Sequence, residues 1–311
     1  MKTSIAMTTY NGKEYIRELL DSVRCQTLVP DEVVIVDDCS ADGTPELVQE
    51  YIKQYRLENW NVICNETNLG WRKNFRVALD KCNGEFVFLC DQDDIWKETK
   101  IEEMVSVMER HPDIELLASD YESLNMDSNE DVTIRGNKKG KGSLEQLHFG
   151  YGSLSVLRPG CTYCARNSLV RFALDHDMES APHDAILWGW ASIRNGLYIY
   201  HKDLIVYRRH SGCASLSSEN LSIGKRLKQL EYDIGVEEFF SSACRNNGYD
   251  NQSNILSEQI TFNRKRMEVI RNKKVFHTAK FVLNNLKHYP TKRNAASDIY
   301  IVIGKRKNET V

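Results

Sequence analysis

The sequence predicts an α/β fold, a Rossmann-like doubly wound mixed sheet with a C-terminal helical extension. Three observations predict it. Apolar, β-branched runs alternate with helical spacings over about the first 95 residues. Three of those runs end in polar or acidic residues, at the strand ends where such sheets place their ligands. From about Asn220 the alternation stops and the pattern turns helical and basic.

The elements follow in order. Residues 3–8 read as a short buried strand, and Asn11-Gly12 as a turn. Lys13 to Gln26 carries helical spacing through Ile16, Leu19, Leu20 and Val23. Glu32-Val33-Val34-Ile35-Val36 is β-branched and ends in Asp37-Asp38, as a strand covered on both faces would. Thr44 to Tyr55 is the next helix, with Pro45 placed early. Asn61–Cys64 is a third strand, Asn74–Lys81 a third helix, and Gly84–Cys90 a fourth strand ending in Asp91. Residues 126–143, rich in Asn, Gly, Lys and Asp, read as a loop. The expected division is 1–219 for the α/β domain and 220–311 for the helical region.

The chain of 311 residues suits one large domain plus an appendage, or two domains. Its 41% hydrophobic and 27% charged residues exclude disorder as the main state. A net charge of −3 excludes a polyanion-binding chain, so no nucleic-acid partner is expected. That average hides an asymmetry: residues 220–311 hold 17 Lys/Arg against 9 Asp/Glu, near +8, which leaves the front near −11. A basic tail points to an anionic membrane surface, or to a solvated helical face or a dimer partner. Clusters at Lys225-Arg226-Leu227-Lys228, Arg264-Lys265-Arg266 and Arg271 to Lys274 carry the first reading. Apolar residues lie among them: Leu221, Ile223, Leu227, Leu230, Val275, Phe276, Phe281, Val282 and Leu286.

Met1–Thr9 lacks the apolar stretch of a signal peptide, and no run approaches a membrane span. The expected location is cytoplasmic, with peripheral attachment at the inner face of the membrane. Nine cysteines without regular spacing fit reduced thiols, and Cys161-x-x-Cys164 is expected to be packing.

Asp91-Gln92-Asp93-Asp94 packs three carboxylates into four residues. Their repulsion needs a cation or a hydrogen-bond network. Hard ions such as Mg²⁺ or Mn²⁺ take such oxygens together with substrate phosphates, so a divalent metal is the expected cofactor. The alternative is a turn capping the next helix. After the second strand, Asp38 is placed for a base or ribose, and Asp42 and Thr44 for capping.

Thr8-Thr9-Tyr10-Asn11-Gly12, Val36 to Thr44, Asn68-Leu69-Gly70 and Asp91-Gln92-Asp93-Asp94-Ile95-Trp96 occur in the order seen in glycosyltransferase family 2, which the chain resembles over roughly residues 2–215. That family has the GT-A fold. The Asp-Gln-Asp-Asp-x-Trp form is similar to the rhamnosyltransferase-type branch. The resemblance implies an inverting, metal-dependent transfer from a nucleotide-sugar donor, dTDP-L-rhamnose first and a UDP-hexose second. The acceptor would be a cell-surface or lipid-linked saccharide.

By position, the resemblance places Thr8, Tyr10 and Asp38 at the base and ribose, with Asn11 in the same motif. It places Lys73 and Asn74 near the donor, and matches Asp91 and Asp93 to the Asp-x-Asp motif. Asp93 or Asp94 would hold the metal. Inversion needs one general base. Pro182-His183-Asp184 stands where the family often has Glu-Asp, which implies Asp184 as base. His183 would orient it, touch the acceptor or pack at the helix start. Trp188 would stack on a sugar or lie in the core. Tyr207-Arg208-Arg209-His210 resembles the family's late motif, with Arg209 for the diphosphate and His210 for the metal.

Two other classes stay open at this point. A nucleotidyltransferase usually carries a Gly-rich, basic phosphate loop near its N-terminus, and Thr8–Gly12 does not look like one. A non-catalytic nucleotide-sugar binder should have lost the acidic cluster or the base, and both are present.

Overall fold

The computed structural model describes residues 2–126, 133–135, 142–210 and 222–308. The chain divides into two compact units, residues 1–147 with 156–214, and residues 148–155 with 215–311. The boundary expected between residues 219 and 220 lies outside the described residues, as does most of the expected loop at 126–143.

The first unit begins β1 (Thr3–Thr9), α1 (Ile16–Arg24), β2 (Glu32–Asp37), α2 (Thr44–Tyr55), β3 (Trp60–Cys64), α3 (Trp71–Lys81) and β4 (Phe86–Asp91). The helix expected from Lys13 starts at Ile16. Asn11 has φ 48°, and the amides of Tyr15 and Ile16 both donate to the Gly12 carbonyl, so a turn occupies the first positions. The third helix starts three residues earlier than its apolar spacing suggests, after Gly70 at φ 82°.

Then follow β5 (Ile95–Trp96), α4 (Lys100–Arg110), β6 (Leu116–Asn125), β7 (Thr133–Arg135), β8 (Leu144–Gln146), β9 (Tyr163–Arg166), α5 (Asn167–Asp175), α6 (His183–Ile193) and β10 (Leu197–Arg209). The sheet order is β3-β2-β1-β4-β9-β6-β10-β5, with β7 on β6 and β8 on β10. β1 to β4 pair in parallel, β9 runs antiparallel to both β4 and β6, and β10 is parallel to β6. The sheet is therefore mixed, and the C-terminal ends of β1, β2, β4 and β10 share one edge. This is the GT-A architecture. Ile5, Met7, Val33, Ile35, Phe86 and Phe88 are 0% exposed, which explains the unbroken apolar runs.

The second unit contains α7 (Ile223–Asn246), α8 (Asp250–Arg271), α9 (Val275–Asn284) and α10 (Lys292–Asn308). Its core is partly ionic. Arg266 binds Asp298 through Nε at 2.6 Å and Nη2 at 3.0 Å, with Asp298 0% exposed. This removes Arg266 from the Arg264-Lys265-Arg266 cluster expected at a membrane, while Arg264 and Lys265 stay exposed. Arg266 is buried, Arg264 pairs with Glu238 and Lys265 with Glu268. Arg226 likewise faces Asp298. Ile223 and Leu230 are buried in the unit's own core, while Leu221 lies outside the described residues. No helix among the described residues is long and apolar enough to cross a membrane.

Candidate active site

The shared edge of the sheet is tied together by short polar side chains. Asp37, at the end of β2, accepts from Thr9 Oγ1 at 2.6 Å and from the Ser40 amide and hydroxyl at 2.8 and 2.7 Å. Asn11 accepts from the Ala41 amide, and its own amide donates to Ser40. Asn11 therefore joins the β1 and β2 loops. Asp42 accepts from the Thr44 amide and hydroxyl, and from the Lys13 amide. The formal N-cap of α2 is Gly43, at φ 89°.

Asp38 is 2% exposed and accepts from the Leu69 and Gly70 amides at 2.7 and 2.8 Å and from Asn65 Nδ2 at 3.0 Å. It shapes the Asn68-Leu69-Gly70 turn. Asn74, 1% exposed, donates to the Val36 carbonyl and accepts from Asn65, so it supports Asp38 from behind. Thr8 is buried opposite Asp91 in the β1–β4 register. Lys73 is half-exposed in an ion pair with Glu179.

Gln92, whose role the sequence left unassigned, clamps the β1 end. Its Oε1 accepts from the Tyr10 amide at 2.8 Å and its Nε2 donates to the Tyr10 carbonyl at 3.0 Å. The Tyr10 ring stays exposed. Gly12 is needed for this clamp, because a Cβ there would stand 2.2 Å from Gln92 Oε1.

The acidic run is followed by β5, and α4 begins only at Lys100 with no side-chain cap. The helix-capping alternative therefore has no counterpart in the fold. The carboxylates split into two groups. Asp93 Oδ2 meets His210 Nε2 at 3.0 Å, and the His210 ring stacks on Tyr15 at 4.4 Å. Asp91, Asp94 and Cys161 bring their ligand atoms within 4.8 Å of one another, with Asp94 0% and Cys161 1% exposed.

Burial, with Asp93 and Asp184 nearby, pushes the Asp91 carboxyl up to about 7. Burial also pushes Asp94 well above the carboxylate range, with Asp93 and Asp91 adding to it. Lys100 lies buried beneath the cluster, donating to the Cys161 carbonyl at 2.6 Å. Cys161 is thus more than incidental packing, since its thiol lies between two carboxyls.

A hard divalent cation fits this site. Asp94 and Cys161 are sealed, and a thiol suits softer metals. The more accessible pair is Asp93 with His210, a carboxylate beside an imidazole, a donor set that suits Mn²⁺ better than Mg²⁺. Arg208, two residues before His210, is 2% exposed. It donates to the Asp93 carbonyl, pairs with Glu18 and fixes the strand end that carries His210. Arg209 remains partly exposed.

Asp184 opens α6. Its Oδ1 accepts from the Ala185 amide at 2.8 Å, and the Gly160 amide also reaches its carboxylate. Burial raises its pKa; these amides and the Arg72 charge oppose the rise. A Cβ on Gly160 would lie 3.0 Å from Asp184 Cβ and 3.3 Å from His183 Nε2, so any larger residue would press on both side chains. His183 stacks on Phe75 at 3.8 Å and meets Trp71 edge-on. Burial, with Arg76 and Arg72 nearby, drops its pKa to about 3, so the imidazole is neutral and a packing group.

Trp188 is corrected to the core. It is 0% exposed beside Tyr163, with no ring face open to an acceptor. Arg72 was missed by the sequence reading, which looked one residue on. Its Nε is buried without a hydrogen-bond partner among the described residues, and its charge reaches Asp184 and His183.

The model of Glycosyl transferase family 2 matches residues 4–177. An uncharacterized Mycobacterium tuberculosis protein is 40% identical over 112 residues, 35% of this chain and 32% of the relative. The poly(ribitol-phosphate) beta-N-acetylglucosaminyltransferase TarS of Staphylococcus aureus is 39% identical over 120 residues, 38% of this chain and 21% of the relative. These matches therefore span about a third or less of those relatives. A dTDP-rhamnosyl transferase, RfbG of Shigella flexneri, is 27% identical over 240 residues, 72% of this chain and 78% of the relative. Among solved structures, TarS 1–349 in complex with UDP-GlcNAc superposes with a TM-score of 0.61 at 22% identity, covering 99% of this chain and 92% of that one. A Pyrobaculum calidifontis mannosyltransferase in complex with GDP-Man and Mn²⁺ gives 0.55 at 14% identity, covering 99% and 80%.

Proposed function

The chain belongs to glycosyltransferase family 2, and on that premise we propose that it is an inverting, metal-dependent glycosyltransferase working from a nucleotide-sugar. One observation carries the reading. Asp184 accepts from the Ala185 amide beside a glycine that leaves room for it, close enough to the Asp-x-Asp cluster to raise the pKa of Asp91. In this reading Asp184 serves as the base and the acidic turn takes the phosphate side.

In this reading the exposed Tyr10 ring stacks on the base, while Thr8 and the Asp38-ordered turn line the ribose. A divalent ion on Asp93 and His210 would offset the charge of the departing nucleoside diphosphate. Arg209 and Arg72 stand as further cations for the phosphates. Asp184 accepts the proton of the acceptor hydroxyl as that oxygen bonds to the anomeric carbon. The bond from that carbon to the diphosphate oxygen breaks, and the diphosphate leaves with the electron pair. Attack from the face opposite the leaving group inverts the centre.

The preferred donor is dTDP-L-rhamnose, supported by the long alignment to the rhamnosyl transferase. A UDP-hexose is the second reading, favoured by the superposition on the UDP-GlcNAc complex. The acceptor would be a cell-surface or lipid-linked saccharide, met at the cytoplasmic face of the membrane. A panel of nucleotide-sugars with Mn²⁺, read by released nucleoside diphosphate, tests this. Release from dTDP-rhamnose alone supports the first donor, and release from a UDP-sugar alone replaces it.

A further inference from the structure

The second unit carries a surface that donor chemistry leaves unexplained. Along α9, Phe276 is 81% and Leu283 67% exposed, and Leu286 just beyond is 47% exposed. Phe276, Lys280 and Leu283 fall at i, i+4 and i+7, one face of a helix. Lys273 and Lys274 precede this face and Lys287 follows it, all exposed. None of these four lysines forms an ion pair among the described residues, unlike Arg264 and Lys265 on α8. The packed neighbour α10 exposes Tyr300 and Ile303.

The charge is one-sided. Between Arg271 and Asn308 the sequence has ten Lys/Arg and a single carboxylate, Asp298, which is buried on Arg266. Large exposed apolar side chains of this kind usually mark an interaction surface. A protein partner would need acids here, and a second copy would bring lysine against lysine. A bilayer with anionic headgroups meets both features, since apolar residues enter the headgroup boundary while lysines meet the phosphates.

We propose that α9, with its flanking turns, is the membrane-contact surface of this protein, inserting Phe276, Leu283 and Leu286 into an anionic leaflet while Lys273, Lys274, Lys280 and Lys287 pair with its headgroups. The surface keeps Lys273, Lys274, Phe276 and Leu286 from the basic and apolar clusters that the sequence suggests and leaves out Arg266, which is buried; Arg264 and Lys265 are exposed but ion-paired within their own unit. Its support is independent of which sugar the first unit moves.

The test uses the full chain with vesicles of phosphatidylglycerol and phosphatidylcholine, against vesicles of phosphatidylcholine alone. Sedimentation should recover the protein only with the anionic vesicles, and less as salt rises. Phe276→Ser with Leu283→Ser should weaken partitioning at least tenfold. Lys274→Gln with Lys280→Gln should weaken it roughly 30-fold, about fivefold per lysine, and flatten the salt dependence. Arg264→Gln with Lys265→Gln should change it less than either pair. Equal recovery on both vesicles, recovery on neither, or α9 variants that alter only self-association in light scattering would overturn the proposal. Donor turnover measured on the same samples without vesicles separates a failure here from a failure of the transferase reading.

Discussion

His210 Nε2 lies 3.0 Å from Asp93 Oδ2, across 117 residues of sequence, and this contact joins the end of β10 to the acidic turn after β4. It marks Asp93, rather than the sealed Asp94, as the carboxylate on the accessible side. Asp93→Ala and His210→Ala should each lower transfer by about 10²-fold or more, the scale of one lost electrostatic contact to developing charge. Both should raise the Mn²⁺ concentration needed for half-maximal rate. Asp94→Asn should lower thermal stability more than metal affinity. Full activity of the parent protein in excess chelator would remove the ion from the account.

Gly160 is the clearest steric requirement near the base. Gly160→Ala must push Asp184 or His183 by several tenths of an ångström. Misplacement on this scale costs about 10–10²-fold in rate. Steady-state kinetics should show this fall in kcat with KM for donor little changed and the circular dichroism spectrum retained. A variant as fast as the parent would show that the carboxylate tolerates displacement.

The rate should depend on pH through Asp184. A base must be ionised to accept a proton, and burial raises its pKa. Transfer should therefore fall as pH drops, with the acidic limb above the usual aspartate value of about 3.9. Arg72 opposes the rise, so Arg72→Gln should move that limb to higher pH. A limb unmoved or moved downward would contradict the placement of Arg72.

The ionic core of the helical unit predicts an asymmetric cost. Arg266→Ala leaves Asp298 buried with less compensation, at about 3–5 kcal/mol. Urea unfolding should show early loss of the helical unit. A change under about 1 kcal/mol would mean that Arg226 and Tyr289 suffice for Asp298.

Much of the first unit was legible in the sequence, for a physical reason. β1, β2 and β4 are covered on both faces, so their residues form unbroken apolar runs that end where the chain meets solvent. The acidic ends announce the site because three carboxylates within four residues repel one another and need a cation or a hydrogen-bond network. β9 was not legible: Tyr163-Cys164-Ala165-Arg166 is short, carries no alternation and takes its place only by pairing between β4 and β6. The sequence points only to packing for the Cys161 thiol because its partners are about 70 residues away in sequence. The sequence places Arg266 at the surface because the acid that binds it, Asp298, lies 32 residues on. Gln92 sat inside a recognised motif, yet its two bonds to the Tyr10 backbone need the folded β1 end to be seen.

The central claim is that Asp184 is the base of an inverting transfer. Asp184→Asn keeps the size and the hydrogen bond to Ala185 but cannot accept a proton. The decisive measurement is single-turnover transfer by this variant, alongside donor Kd from calorimetry. The account predicts donor Kd within about threefold of the parent and transfer slowed about 10²–10⁴-fold. Transfer at the parent rate, with donor bound equally well, would contradict it.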